Sequence, residues 1–71
     1  MPKLYSSSQI IKILEKHGFV FISQKGSHVK YRKKGNPTLT VIVPSGRKVM
    51  PNGTFRSIVR QSQLGVEDFD N

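Results

Sequence analysis

Ile10, Ile13, Leu14 and His17 recur at i, i+3, i+4 and i+7 in SSSQIIKILEKHG, with Lys12, Glu15 and Lys16 between them. That period gathers the apolar positions into one stripe of a helix. One of Ser6 to Ser8 can accept from the free first-turn amides, and Gly18 supplies the left-handed residue on which many helices end. His17, just before the stop, is read as a partner of the C-terminal end of the helix dipole. After Gly18 the period changes. FVFISQ is rich in β-branched and aromatic residues and predicts a strand. Lys25-Gly26 turns the chain, SHVKYRK alternates as a second strand, and KKGNP turns it again. TLTVIVP is a third strand, ended by Pro44. SGRKVM reads as a loop. PNGTFRSIVRQSQLG predicts a second helix, capped by Asn52 or Thr54, with Phe55, Ile58, Val59 and Ser62 facing the core and a stop near Gly65. VEDFDN is either a further helical turn or a loose acidic tail.

The order is α-β-β-β-α. Short turns between consecutive strands favour an antiparallel meander, with both helices covering one face of an α+β domain. Alternation then sorts the strands. Val29 and Tyr31 point to one side of the second strand, and His28, Lys30 and Arg32 to the other. In the third strand Leu39, Val41 and Val43 are the apolar set, opposite Thr38, Thr40 and Ile42. Burying the apolar sets under the helices leaves His28 on an open face beside Lys30 and Arg32. The first strand is apolar on both sides, so its period does not orient it.

Charge changes the picture most. Twelve Lys and Arg stand against four acidic residues in 71, and three of those acids (Glu67, Asp68, Asp70) lie in the last five positions. Up to residue 66 Glu15 is the only acid. Such an imbalance repels itself in the compact state and favours a polyanionic partner, nucleic acid or an acidic protein. A chain this short, residues 1–71, is read as a single domain with a modest core. It has no cysteine, which excludes disulfides and thiolate metal sites and is compatible with a cytoplasmic setting. No apolar run is long enough for a membrane span or a signal-peptide core. With two histidines and one acid before residue 67, no metal centre or other cofactor is expected. A nuclease built this way is restricted to RNA, whose 2′-hydroxyl serves as its own nucleophile.

His28 is the candidate for proton transfer to or from that hydroxyl or the leaving oxygen. Gly26 permits close backbone approach, Ser27 offers a hydroxyl to a phosphate oxygen, and Lys25 and Lys30 can hold the phosphate and stabilise its developing charge. Arg32 continues the same face. Arg56 and Arg60, four apart on the second helix, form a like-charge pair whose retention makes sense if that face meets phosphates or an acidic protein. Gly53-Thr54 opens that helix with free amides, a ready anion site. Arg47 and Lys48 extend the basic surface in the preceding loop.

With these motifs in place, the chain resembles the HicA family of toxin-antitoxin mRNA interferases. The resemblance runs from IIKILEKHGF through QKGSHVKY and TVIVP to PNGTFRSIVRQ. It rests on the ordered combination of Gly26-Ser27-His28, Pro44 and Gly53-Thr54. It implies a double-stranded-RNA-binding-domain-like fold, His28 as the catalytic histidine, metal-independent cleavage of mRNA that arrests translation, and a HicB-like antitoxin that covers the basic active face. Many relatives carry another histidine shortly after the strand-three proline. Here the loop reads VPSGRKVMP, so that either Arg47 or Lys48 takes its part or activity is lower than in those relatives. Two other readings share the fold: a non-catalytic RNA-binding module, and an interaction subunit whose basic face binds only an acidic protein.

Overall fold

Ser6 caps the first helix, as one of the three serines was expected to. Its hydroxyl accepts from the Gln9 amide while the Gln9 side chain accepts from the Ser6 amide, so two otherwise unsatisfied donors are met reciprocally. The computed structural model of the chain describes residues 4–70; residues 1–3 and 71, included in the single-domain expectation, lie outside it. Helix α1 spans Ser7–Lys16 and stops where Gly18 takes a positive φ of 96°. Strands β1 (Val20–Lys25), β2 (His28–Lys33) and β3 (Leu39–Pro44) follow, then helix α2 (Asn52–Ser62) and a 3₁₀ turn over Val66–Phe69. The order is α-β-β-β-α with a short terminal addition, consistent with the fold that the resemblance implied.

The strands form an antiparallel sheet in the order β1-β2-β3, so β2 is central. Gly26 and Ser27 make the two-residue turn between β1 and β2. A positive φ of 59° at Gly26 suits the first central position of a type II′ turn, whose twist matches that of the flanking strands. Gln24 Nε2 braces this turn by donating to the Gly26 carbonyl at 3.0 Å. Val29, Tyr31, Val41 and Val43 are buried against Ile10 and Leu14 of α1 and Ile58 of α2. Both helices therefore pack on one face of the sheet, as alternation predicted.

The β3–α2 loop is tied to the start of α1 through Ser7, which is buried. Ser7 Oγ donates to the Pro44 carbonyl at 2.6 Å and accepts from the Arg47 amide at 2.9 Å, while the Ser7 amide donates to the Arg47 carbonyl at 2.9 Å.

Two expectations about α2 are corrected. Neither Asn52 nor Thr54 caps it. Pro51 occupies the N-cap position without a side-chain hydrogen bond, its φ of −58° already close to the helical value. The helix also stops before Gly65: Gln63 adopts the left-handed conformation, with φ of 57°. Ser62 makes this stop workable, since its hydroxyl donates to the Val59 carbonyl at 2.9 Å and accepts from the Leu64 amide at 3.2 Å.

The acidic tail is ordered by an aromatic cluster. Phe69 is fully buried, edge-on to Phe55 (centroids 5.4 Å apart) and to Tyr5 (6.3 Å), and Tyr5 stacks on Phe55 at 4.8 Å. Asp68 Oδ2 accepts from the Gly65 amide at 2.8 Å, and Asp70 accepts from the Tyr5 hydroxyl at 2.7 Å. Of the two readings of VEDFDN, the helical turn holds for Val66–Phe69; Asn71 lies outside the described residues.

Phe69→Ala should therefore lower stability by about 3–5 kcal/mol, a large share of what so small a domain has. Chemical denaturation of wild type and variant measures this directly. Burial, followed by the Asp70 hydrogen bond and charge, raises the Tyr5 phenol from 10.0 to about 12. Between those values the unfolded chain loses a proton that the native chain keeps, so stability falls as pH rises. Below pH 10 the same group contributes no slope. A denaturation series from pH 8 to 12 should show the decline begin near 10, with a shallower fall in Tyr5→Phe.

Candidate active site

The open face of the sheet is built in two rows that cross the strands. Lys25 of β1, His28 of β2 and Pro44 of β3 stand in register in one row, and Ser23, Lys30 and Ile42 in the next. Ser23, Lys25, Gly26, His28, Lys30 and Ile42 line a concavity of about 550 Å³. A strand order that places β2 in the middle puts His28 and Lys30 at its centre. Among the described residues no carboxylate lines it. Its floor is small or apolar at Ser23, Gly26 and Ile42, and its charge comes from Lys25 and Lys30.

The sequence predicts Lys25, Gly26, Ser27, His28 and Lys30 for this site, and all of these but Ser27 line it. His28 is exposed, at the first residue of β2, where the Gly26-Ser27 turn delivers it. Neither ring nitrogen is hydrogen-bonded to a described residue. Both therefore remain available to a ligand, and no neighbour fixes the tautomer. Arg32 lies further along β2, in register with Val20 and Thr40, and its Nε donates to Thr40 Oγ1 in a long contact of 3.4 Å. It extends the basic face beyond the concavity. Ser27 is an exposed turn residue, and its carbonyl accepts from the Ser45 amide at 2.6 Å. That bond fixes the start of the β3–α2 loop beside the turn that carries His28. Arg47 and Lys48 are exposed three and four residues beyond Pro44, the cross-strand partner of His28.

The α2 residues are placed elsewhere. Gly53, Arg56 and Arg60 are exposed and Thr54 is half-buried on a helix that packs against the opposite face of the sheet. They do not line the concavity. The free amides at the start of α2 and the Arg56–Arg60 pair thus form a second basic surface.

Two lining residues escaped the sequence reading. Ser23 sits beyond a bulge between Phe21 and Ser23, which shifts the pairing of β1 by one residue and so defeats period-two counting. Ile42 belongs to the mixed set of β3 and carries no chemical signature. Its amide faces away from β2 and donates to Gln61 Oε1 of α2 at 3.1 Å, so β3 is held by its outer edge as well.

Among the described residues no three or more His, Cys, Asp or Glu side chains gather as a metal site would require, and no helix is long and apolar enough to cross a membrane. A comparison with curated proteins returned no match. Residues 7–64, which hold both helices and all three strands, match the family described as the HicA toxin of bacterial toxin-antitoxin. With most of its length and every residue of the concavity inside that match, the chain belongs to the HicA toxin family.

Proposed function

We propose that this toxin is a metal-independent endoribonuclease that cleaves mRNA in the cytoplasm and so arrests translation, with His28 as its catalytic histidine and a HicB-like antitoxin as its neutralising partner. The observation that carries this reading is an exposed histidine, set between two lysines in a concavity, with no described residue hydrogen-bonded to its ring and no described carboxylate in the lining. Such a surface attracts a phosphodiester and offers it a proton acceptor.

The reaction balances on RNA's own atoms. A His28 nitrogen takes the 2′-hydroxyl proton, the 2′-oxygen bonds to phosphorus, and the bond from phosphorus to the 5′-oxygen breaks. The 5′-oxygen leaves with a proton from water or a lysine ammonium, giving a 2′,3′-cyclic phosphate. Lys25 and Lys30 bind the phosphate and stabilise the charge that develops on its oxygens. Gly26 adds no side chain to obstruct the approach, while Ser27, Arg32, Arg47 and Lys48 hold flanking phosphates. Gly53, Thr54, Arg56 and Arg60 serve the second basic surface, for more distant RNA or for the antitoxin.

His28→Ala should reduce cleavage by at least about 10²-fold, the usual range for loss of a proton-transfer group. RNA affinity should stay within about threefold, because the lysines supply the phosphate contacts. Binding and cleavage measured side by side on one long single-stranded RNA decide the matter. Retained cleavage by His28→Ala would refute the assignment. A wild type that binds RNA and never cuts it would favour the non-catalytic binding module.

A further inference from the structure

The two edges of the sheet are finished differently. On β3 the outward amide of Ile42 is taken by Gln61, Pro44 has no amide to offer, and α2 packs alongside. On β1 every residue from Val20 to Lys25 is exposed. Val20, Phe21 and Ile22 are 58%, 55% and 41% exposed, an apolar run on an edge strand. The bulge at Ile22 interrupts the pairing with β2 but does not cover these side chains. Folded proteins blunt or cover such edges, because unpaired strand backbone beside apolar side chains is a template for another strand.

The chemistry of the occupant follows from the charge around it. Residues 20–44 contain five Lys and Arg, no Asp and no Glu. RNA suits the lysines but gains little from the apolar run: Val20 and Ile22 offer no ring for a base to stack on, and the Phe21 ring is already set edge-on to the buried Tyr31, centroids 6.1 Å apart. A second copy would pair β1 with β1 at the cost of bringing together two chains of net charge +8. An acidic protein segment in extended conformation meets both features, with main-chain bonds along the edge and carboxylates toward the lysines.

We infer that the antitoxin docks by adding an acidic strand to the free edge of β1. This rests on the reading above, in which the concavity around His28 is the site to be neutralised. Adjacent strands lie about 4.8 Å apart, so the added strand would run about 10 Å from β2. Between them on the open face stands Ser23, in register with Lys30. Over so short a side chain, a glutamate of the added strand reaches toward Lys30 while another meets Lys25. The two contacts close the concavity over His28 and displace the RNA phosphate from the same lysines.

The test compares free toxin with its complex with the antitoxin of the same toxin-antitoxin pair, by amide hydrogen exchange. Amides within Val20–Gln24 should exchange at least about tenfold more slowly in the complex. The double variant Phe21→Ala/Ile22→Ala should bind the antitoxin at least about tenfold more weakly, with RNA cleavage within about twofold of wild type. A complex in which the residues around His28 are protected and β1 is not would overturn the inference. So would slowing of β1 exchange by RNA alone, or by toxin self-association with a doubling of mass. The wild-type exchange comparison stands even if the double variant misfolds. Protection of β1 in a toxin that cuts no RNA would remove the nuclease reading and support the docking mode; cleavage with β1 unprotected would do the reverse.

Discussion

Sliding β2 by one residue against its neighbours would carry His28, Lys30 and Arg32 into the core and push Val29 and Tyr31 out to solvent. Nothing else in the chain has so much depending on it. Among the described residues β2 is the only strand paired on both sides, and its two faces are the core of the domain and the floor of the site. Burying the Lys30 and Arg32 cations unpaired would cost far more than the whole stability of a small domain. The strand that carries the site is therefore held in register by the same alternation that makes the site basic. The Gly26-Ser27 turn fixes one end of that register, and the Ser45 bond to the Ser27 carbonyl ties the turn to the far end of β3.

The distribution of charge completes this division. Of the four acidic residues, Asp68 and Asp70 accept hydrogen bonds within the tail and from Tyr5, on the helical side of the sheet. They close the aromatic cluster of Tyr5, Phe55 and Phe69 and, among the described residues, leave the lysines around His28 without a carboxylate in their concavity. The open face thus stays positive because the fold uses its acids elsewhere. Self-repulsion among Lys25, Lys30 and Arg32 is the standing cost, and a polyanion or an acidic partner relieves it. An antitoxin strand on β1 and an RNA phosphate in the concavity would compete for the same two lysines.

Much of this was legible from short-range pattern. The capping serine, the Gly18 stop, the exposed side of β2 and the helices' shared face all follow from residues within one or two turns of each other. Three features did not follow, each for a physical reason. The orientation of β1 depends on a bulge, and a strand apolar on both sides gives the alternation nothing to work with. The end of α2 falls at Gln63 because Ser62 satisfies neighbouring groups there, although Gly65 looked the easier place for a left-handed residue. The order of the tail depends on Tyr5 meeting Asp70 across 65 positions, a contact no local window contains. Sequence likewise united the α2 arginines with the site by charge alone, whereas packing puts the helix on the other side of the sheet.

In the proposed reaction RNA is cut by its own 2′-hydroxyl with a histidine's help. Its most direct test is incubation of the purified toxin, in EDTA, with an RNA that is cleaved at one site and with a copy carrying a single 2′-deoxy sugar there. The first should be cleaved, leaving a 2′,3′-cyclic phosphate or 3′-phosphate end, and the bond in the second should stay intact. Cleavage at the deoxy position, or activity that disappears in EDTA and returns with a divalent cation, would contradict that reaction.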